Sequence, residues 1–215
     1  MRPEIIRVNA LEPEPSLVSY VADRIRHGSV VGIPTDTFYG LAVDPYNLHA
    51  VERVYEIKDR SRHKPLSLLI ESVDQAEELA HNLPDEFHLL AEKFWPGPLT
   101  IIVKAGSRLP LKVTANTGNV ALRVPNAKIP LAVVTAAAIP ITATSANLSG
   151  ASECTSAEQV RDQLHNRINI IVDGGASPRD VASTIVDLSD EVTRWRIIRE
   201  GAIPADEISK FFAQG

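Results

Sequence analysis

The stretch KDRSRHKPLSLLI, residues 58–70, joins a strongly basic segment to an apolar one. The basic positions crowd into its first half: Lys58, Arg60, Arg62, His63 and Lys64. An apolar run such as Leu66–Ile70 after a polar loop is typical of a short buried strand, and the segment before the loop has helical periodicity over 49–57. This order predicts an α/β fold whose backbone presents the cations at the mouth of a strand. If the loop is extended, positions 58, 60, 62 and 64 project to the same side.

The rest of the chain carries the same mixture of strand-like and helix-like segments. Apolar residues at helical spacing from Leu17 to Ile25 predict a first helix, which Gly28 ends, and SVVGIP (29–34) predicts the next buried strand. Further helices are predicted at 73–81, 85–94, 128–137, 156–164 and 205–212, and further strands at 99–104, 119–124, 140–143, 168–172, 183–187 and 194–198. Because strands and helices interleave without strict alternation, we predict a twisted β-sheet of mixed direction with flanking helices.

Composition places the chain among ordinary globular proteins. It has 215 residues, of which 44% are apolar and 23% charged, and no linker-like tract interrupts it, so we predict a single domain over 1–215. The one cysteine, Cys154, can form neither an internal disulfide nor a thiolate metal cluster. The amino-terminal residues do not resemble a signal peptide, and no run of about 18 apolar residues occurs. We therefore expect a cytoplasmic protein without a membrane anchor.

The overall charge limits what the basic loop would bind. The chain has 27 acidic and 22 basic side chains, a formal net charge of -5, so it lacks the broad basic surface of a free nucleic-acid binder. A solvated turn is the ordinary explanation for such a loop. However, this loop leads into a buried strand, and a row of fixed Arg and Lys fits a polyphosphate, because Arg donates paired hydrogen bonds and Lys supplies a movable charge. Both interpretations stay open at this point.

Three segments rich in small polar residues follow predicted strands. They are IPTDTFYGLAVDP (33–45), TATSANLSG (142–150) and VDGGASPRDVASTIVDL (172–188). Their side chains either satisfy nearby backbone groups in turns or form a pocket rim at strand ends, where α/β sheets bind ligands. Arg123 and Arg199 stand at or just after the ends of two more predicted strands. Because the sequence has no GxxxxGK[ST] or GxGxxG motif and no His pair at metal-ligand spacing, the common nucleotide and metal motifs do not explain these segments.

Read in order, these segments resemble the YrdC/Sua5 family of threonylcarbamoyl-AMP synthases. The resemblance rests on PTDTFYGLAVDP (34–45), KDRSRHKPL (58–66), FWPGPLT (94–100), VALRVPN (120–126), TSANLSG (144–150), VDGG (172–175) with STIVDL (183–188), and IIREGAI (197–203). It spans about residues 14–203 and implies a YrdC-like fold with a concave ligand-binding face. The extra C-terminal domain of the longer Sua5 branch has no counterpart here, so we expect the short, single-domain form.

The resemblance implies a reaction with three substrates. The amine of L-threonine takes up carbon dioxide from bicarbonate, and the resulting carbamate attacks the α-phosphate of ATP and expels pyrophosphate. The product, threonylcarbamoyl-AMP, serves the threonylcarbamoyladenosine (t6A37) modification of tRNA. This nucleotidyl transfer needs no protein nucleophile, but it does need two anions held in line and their charge neutralised. Mg²⁺ is expected to accompany ATP, and no carboxylate cluster in the sequence identifies a protein-held metal site.

The resemblance also implies roles for individual residues. Those that match threonine-binding positions are Thr37, Arg123, Ser145 and Ser183. Those that match ATP-binding positions are Arg60, Lys64, Asn119, Asn147, Thr155 and Arg199. Lys58 and Arg60 match a pair of cations expected to act in catalysis. Two positions depart from the family pattern: Leu69 replaces a His that longer members often carry near threonine, and Asn119 replaces a small hydroxyl residue.

Two other functions remain alternatives. An RNA-binding module could use the same basic patch without catalysis, although the acidic charge and an aromatic content of 5% count against base stacking. A carbamoyl-transfer domain is the second alternative, since similar modules occur inside larger carbamoyltransferases. For the favoured function, we expect the product to pass to the tRNA threonylcarbamoyl-transferase machinery, with at most weak direct binding of tRNA.

Overall fold

Two β-sheets organise the computed structural model, which describes residues 2–190 and 192–213. The first has the spatial order β1 (Glu4–Arg7), β9 (Ile170–Asp173), β2 (Val31–Ile33), β3 (Gly40–Ala42) and β8 (Thr144–Ser145). The second has the order β11 (Arg196–Arg199), β10 (Thr184–Asp187), β5 (Leu99–Lys104), β6 (Asn119–Arg123), β4 (Ser67–Leu69) and β7 (Ile141–Thr142). Both sheets combine parallel and antiparallel pairs. The predicted mixed α/β fold is confirmed, although its strands divide between two sheets.

The chain passes from one sheet to the other at Ala143. This single residue separates β7 from β8, and its N–H donates to the Ser67 carbonyl at 2.8 Å. On the other side, Ala146 N donates to the Tyr39 carbonyl at 2.8 Å, and the Tyr39 hydroxyl donates to the Gly175 carbonyl at 2.6 Å. The crossing therefore brings together three of the polar segments that lie far apart in sequence.

Eight α-helices are described around the sheets. They are α1 (Pro15–Arg26), α2 (Leu48–Lys58), α3 (Val73–Leu79), α4 (Asp85–Phe94), α5 (Leu111–Thr114), α6 (Lys128–Ala137), α7 (Ala157–Leu164) and α8 (Ala205–Ala213), with a short 3₁₀ turn at His165–Arg167. The Asn47 side chain caps α2 by accepting from Ala50 N at 3.1 Å. Helix α2 ends at Lys58, and Asp59 follows with a left-handed φ of 51°.

The end of α2 overturns one expectation about the basic loop. Lys58 belongs to the helix, Asp59 reverses the chain, and a turn closes through the 3.2 Å hydrogen bond from Lys64 N to the Ser61 carbonyl. The segment is therefore not extended, and positions 58, 60, 62 and 64 do not share one side. The physical reason is that α2 continues one residue further than its apolar periodicity and ends in a left-handed residue.

Helices pack on the faces of the five-stranded sheet according to strand alternation. Ile170 and Val172 of β9 join an apolar cluster with α1 and α6, whereas Ile171 between them joins a larger cluster that includes α7 and the six-stranded sheet. The sheet is therefore covered on both faces. A ligand can therefore reach this sheet only at the loops that follow its strands.

The predicted elements agree with the observed ones to within about two residues, but the 3₁₀ turn and four other elements were not predicted. These are β1, β3, α5 and β8, each of four residues or fewer. Among the described residues, no helix combines the length and apolar character needed to cross a membrane.

Candidate active site

A cavity of about 170 Å³ lies where the two sheets meet. Its walls come from the loop after β2 and from the strands β3, β4, β5, β6, β8, β10 and β11 or their ends. Six of the residues predicted from the sequence line it: Thr37, Arg60, Arg123, Ser145, Ser183 and Arg199. Thr37 and Arg199, which are about 160 positions apart in sequence, therefore share one polar cavity.

Arg123, the last residue of β6, lines this cavity and is only 6% exposed. Its Nε donates to the Gly97 carbonyl at 3.0 Å, Nη1 to Thr37 Oγ1 at 3.0 Å and Nη2 to Asp36 Oδ1 at 2.5 Å. Burial lowers the pKa of Arg123, and the neighbouring Asp36 carboxylate opposes this shift. Every nitrogen of the guanidinium is thus held in place, and Arg123 fixes the hydroxyl of Thr37.

Ser183 and Arg199 form the wall on the six-stranded sheet. The Ser183 and Thr100 hydroxyls are 2.8 Å apart, and Arg199 donates to the Ser183 carbonyl through Nε at 3.1 Å and Nη2 at 2.8 Å. A Cβ at Gly201 would lie only 2.6 Å from the Ser183 carbonyl carbon, so the close approach of this loop requires glycine. Burial lowers the pKa of Arg199, and its Nη1 has no hydrogen-bond partner among the described residues.

Lys58 lies beneath the Ser145–Asn147 segment. Its Nζ donates to the Asn147 carbonyl at 2.8 Å, to Asn147 Oδ1 at 2.9 Å and, in a shorter contact, to the Ser145 carbonyl. Three acceptors match the three protons of an ammonium group. Burial is the main cause that lowers the pKa of Lys58 to about 8, and the charge of Arg60 lowers it further. Lys58 is buried and does not line the cavity.

The other basic residues of the loop divide into two groups. Arg60 lines the cavity, where Nη2 donates to the Pro65 carbonyl at 3.0 Å and Nη1 has no partner among the described residues. Burial lowers its pKa. Lys64 is exposed at the end of the loop. Arg62 is also exposed, but it points back to α2, where its Nε donates to Glu52 Oε1 at 2.7 Å.

The remaining predicted residues do not line the cavity. Asn147 is buried behind it, where its Nδ2 donates to the Ala151 carbonyl at 2.6 Å. Thr155 is hydrogen-bonded to Gln159 Oε1 through its own N–H at 2.7 Å. Asn119 begins β6, four residues before Arg123, and so lies at the far end of that strand. Their predicted ATP contacts stay predictions. Leu69, in contrast, does line the cavity.

Sequence reasoning did not single out several cavity residues, and two of them add polar groups that matter for the site. Thr100 in FWPGPLT contributes a buried hydroxyl beside that of Ser183. The two residues meet because β5 pairs with β10, where Thr100 lies opposite Ile185, and the sequence alone does not show this pairing. Glu153 lines the cavity as well, and nothing in SANLSGASE singles it out before the loop is folded. The lining thus carries three guanidinium groups, from Arg60, Arg123 and Arg199, and one carboxylate, a formal excess of two positive charges.

The site contains polar groups suited to anions, and the one thiol near it is unreactive. The thiol of Cys154 is buried, and burial raises its pKa to about 11, so it stays protonated near neutral pH. Across residues 2–190 and 192–213, no group of three or more His, Cys, Asp or Glu side chains is arranged to hold a metal ion. The three guanidinium groups and the hydroxyl groups of the lining suit binding and alignment of anionic substrates.

Comparison with known proteins agrees with this geometry. The family model Sua5_yciO_yrdC, described as "Telomere recombination", matches residues 23–201. This chain belongs to the Sua5/YciO/YrdC family. A threonylcarbamoyl-AMP synthase of Pyrococcus abyssi is 37% identical over 199 residues, which cover 92% of this chain and 57% of that protein. A threonylcarbamoyl-AMP synthase of Vibrio vulnificus is 34% identical over 188 residues, which cover 86% of this chain and 99% of that one.

A solved member of the Sua5/YciO/YrdC family has the same fold. The crystal structure of P. abyssi Sua5 complexed with L-threonine superposes with a TM-score of 0.92 at 37% identity, over 96% of this chain and 60% of that chain. The chain described here thus spans little more than half the length of this relative. The predicted family and fold are confirmed, and the seven motifs that suggested them fall around the cavity or support its walls.

Proposed function

We propose that this chain is a nucleotidyltransferase that makes threonylcarbamoyl-AMP from L-threonine, bicarbonate and ATP, with release of pyrophosphate. The observation that carries the proposal is the convergence of three guanidinium groups on one hydroxyl-rich cavity. Anionic substrates favour fixed cations, and hydroxyl groups at Thr37, Ser145, Ser183 and Thr100 suit a substrate that carries its own hydroxyl. Relatives named threonylcarbamoyl-AMP synthase in two organisms support the same reaction.

Arg123 is well placed to recognise the carboxylate of threonine. Nη1 and Nη2 each carry two N–H groups, and each spends one of them, on Thr37 and Asp36 respectively. One N–H on each nitrogen therefore remains for a substrate carboxylate. Because the guanidinium is locked by three protein contacts, it would lose little side-chain entropy when threonine binds.

The reaction requires two anions to meet. Bicarbonate separates into carbon dioxide and hydroxide. The unprotonated amine of threonine bonds to the carbon dioxide and loses a proton, which combines with the hydroxide to form water, and the product is a carbamate. A carbamate oxygen then bonds to the α-phosphorus of ATP as the bond from that phosphorus to the β-phosphate bridging oxygen breaks, and pyrophosphate leaves with the bonding electrons. Arg60 and Arg199, whose Nη1 groups lack partners among the described residues, would neutralise the phosphates as charge moves to the leaving group.

Lys58 would contribute to this chemistry mainly through position and charge. Its three donors already bind Ser145 and Asn147, which keeps the Ser145 hydroxyl at the cavity wall. A direct contact with ATP would require one of these bonds to be exchanged. The catalytic role predicted for Lys58 thus remains a prediction, and its contacts favour a positioning role.

Several further parts of the proposal extend beyond this cavity. Mg²⁺ would enter bound to the phosphates of ATP, because Glu153 is the one carboxylate among the described lining residues. We propose one catalytic domain over 1–215 in a cytoplasmic enzyme, of which Met1, Glu191, Gln214 and Gly215 lie outside the described residues. The product would pass to the machinery that modifies tRNA, with weak direct tRNA binding at most.

Pyrophosphate release tests the proposal directly. The protein is incubated with ATP, bicarbonate and L-threonine, and pyrophosphate is measured as each substrate is omitted in turn. We expect release only when all three are present. Equal ATP turnover without threonine or without bicarbonate would exclude the reaction, and salt-sensitive RNA binding without turnover would favour the RNA-binding alternative.

The arrangement of hydroxyl groups allows a second, sharper assay. Valine matches threonine in shape but has no hydroxyl, so it would leave the polar groups of the cavity without partners. Sites that pair with a substrate hydroxyl reject such analogues by about 10⁴-fold or more. Turnover of valine comparable to that of threonine would remove Thr37, Ser145 and Ser183 from the recognition role.

A further inference from the structure

One charged residue of the substrate cavity has no role in the reaction described above. Glu153 lies in the loop between β8 and α7, and it is the one carboxylate among the described lining residues. The same lining carries the guanidinium groups of Arg60, Arg123 and Arg199. A single negative group in so cationic a cavity marks the place where a positive group of a ligand is favoured.

The backbone on both sides of Glu153 is fixed. The Ser152 carbonyl accepts from Gln163 Nε2 at 2.8 Å, and the Cys154 carbonyl accepts from Tyr39 N at 2.9 Å. Tyr39 itself lines the cavity. The loop therefore holds Glu153 at the cavity wall on an anchored backbone, as a residue that orients a substrate requires.

The carboxylate of Glu153 is accessible and has no partner in the described part of the chain. No hydrogen bond or ion pair to a residue within 2–190 or 192–213 occupies it. Glu153 is partly buried as a residue, yet neither of its carboxylate oxygens is fully buried, in contrast to Asp36 Oδ2. A donor from a ligand can therefore reach these oxygens without displacing a protein partner.

Two cations lie close enough to Glu153 to respond to its charge. Burial lowers the pKa of Arg199 and of Lys58, and the negative charge of Glu153 opposes both shifts. The charge of Arg123 also acts on Arg199, whose pKa it lowers further. Arg199 is thus within electrostatic range of both Arg123 and Glu153, so these two oppositely charged groups belong to the same part of the cavity.

We propose that Glu153 binds the α-amino group of threonine and thereby selects α-amino acids as substrates. Arg123 would bind the carboxylate of threonine, and the hydroxyl groups of the lining would bind its side chain, which leaves the ammonium without a partner. Near three guanidinium groups an ammonium is repelled unless a carboxylate accompanies it. The inference rests on the proposed function, because it takes threonine as the ligand.

The contact with Glu153 would persist while the carbamate forms. The ammonium gives up one proton to solvent, and the resulting amine still has two N–H groups. One of them can donate to Glu153 while the lone pair of the nitrogen bonds to carbon dioxide. Because Arg199 lies within range of Glu153, the nitrogen is held near a cation assigned to the phosphates, where the carbamate oxygen has to attack.

Two ligands isolate the contact with the amino group. The full chain is titrated with L-threonine and with (R)-3-hydroxybutanoate, which keeps the carboxylate and the hydroxyl but lacks the amine, both without ATP and bicarbonate. Glu153→Gln keeps the size of the side chain and removes its charge. We expect this variant to bind threonine about 10-fold or more weakly, and to bind (R)-3-hydroxybutanoate within about threefold of the unaltered chain.

Two further variants serve as controls. Glu153→Asp keeps the charge on a shorter side chain and should recover part of the threonine affinity that Glu153→Gln loses. Glu77→Gln removes a carboxylate from the exposed face of α3, outside the cavity lining, and should leave the Kd for both ligands unchanged. Thermal melting of the three variants reports whether the fold is kept.

The other possible roles of Glu153 give different results. Equal threonine affinity in Glu153→Gln and the unaltered chain, or equal losses for both ligands, would overturn the contact with the amino group. Weaker binding of MgATP with unchanged binding of threonine would assign the carboxylate to Mg²⁺ and also overturn it. If the unaltered chain binds no threonine, the proposed function fails and this inference fails with it, whereas failure of Glu153 alone leaves threonine binding intact.

Discussion

The cations around the substrate cavity differ in how many of their donors the protein itself occupies. Arg123 and Lys58 are buried, and each makes three hydrogen bonds to fixed acceptors. Arg60 and Arg199 are bound on one side only and keep Nη1 without a partner in the described part of the chain. The difference indicates two roles. Lys58 and Arg123 hold the walls of the cavity in place, although Arg123 keeps one N–H on Nη1 and one on Nη2 for a substrate carboxylate. Arg60 and Arg199 each keep a whole Nη1 group for a ligand that enters the cavity.

Electrostatics explains why the buried pair, Arg123 and Lys58, differs in this way from Arg60 and Arg199. A buried charge is tolerated only where acceptors compensate for lost hydration, so a cation as buried as Arg123 needs a protein acceptor at each of its nitrogens. A ligand-binding cation needs donors that water can satisfy while the site is empty. Substitution of both buried cations, of Arg60 and of the exposed cations of the same loop tests this difference, from the largest expected effect to the smallest.

Removal of Arg123 should have the largest effect on stability. Arg123→Ala leaves both oxygens of the buried Asp36 carboxylate without a donor, and breaking a buried pair in this way costs about 3 to 5 kcal/mol. Urea unfolding measures this loss. Threonine binding should also vanish, because Thr37 loses the group that fixes its hydroxyl.

A companion variant distinguishes a lost pair from a lost ligand contact. Arg123→Ala combined with Asp36→Ala removes the uncompensated charge and should recover part of the stability, but not threonine binding. If Arg123→Ala unfolds at the same urea concentration as the unaltered protein, then Arg123 does not stabilise the fold, and the distinction between buried and partly free cations is wrong.

Lys58 should reveal its burial through pH. Its pKa of about 8 lies below the ordinary value of 10.5, so between these values the folded state has released the proton while the unfolded state keeps it. Raising the pH from 8 to 10.5 therefore favours the folded state, by about 3 kcal/mol. Below pH 8 the lysine is charged in both states, and above 10.5 it is neutral in both.

The variant Lys58→Met isolates this contribution from other titrating groups. It should be less stable at neutral pH, because the carbonyls of Ser145 and Asn147 lose their donor, and it should lack the rise between pH 8 and 10.5. Chemical unfolding of both proteins across this range provides the measurement. Parallel pH curves for the two proteins would show that Lys58 is not a strongly desolvated cation.

The sequence predicted the longer elements because their periodicity is repeated over several turns or residues. It missed β1, β3, α5 and β8, each of four residues or fewer, and β3 and β8 depend on pairing with each other. The division of the strands between two sheets was missed as well, because it also depends on contacts between distant segments. The crossing at Ala143 is set by a backbone contact with Ser67, which no local pattern encodes.

The candidate site was predictable to the extent that motifs mark it. Seven motifs identified the family, and six of the predicted residues line the cavity. The burial of each cation and the number of its hydrogen-bond partners were not predictable, because both depend on contacts between segments that are distant in sequence. Lys58 and Arg60 are two residues apart, yet a left-handed residue between them sends one beneath the Ser145–Asn147 segment and the other to the cavity wall.

Arg60 should matter for ATP rather than for stability. Arg60→Ala removes a charge-assisted contact worth about 1.5 to 3 kcal/mol, or about 10- to 150-fold in the Kd for ATP. Lys64→Ala should fall at the lower end of this range, because its ammonium is exposed and better hydrated. Isothermal titration with ATP measures both variants. A large drop in unfolding free energy without a change in the Kd would place Arg60 with the structural cations.

Arg62 should show the smallest effect and serves as the control within the same loop. Its guanidinium binds Glu52 on the surface, and Lys112 also binds Glu52 at 3.0 Å, so the carboxylate keeps one partner when Arg62 is removed. Arg62→Ala should therefore change the melting temperature by no more than about 2 °C, because exposed ion pairs contribute little. Its Kd for ATP should stay within about twofold of the unaltered protein, because this side chain does not face the cavity. Equal losses of ATP binding at positions 60, 62 and 64 would indicate a diffuse electrostatic patch without a division of labour, and they would return the RNA-binding module to consideration.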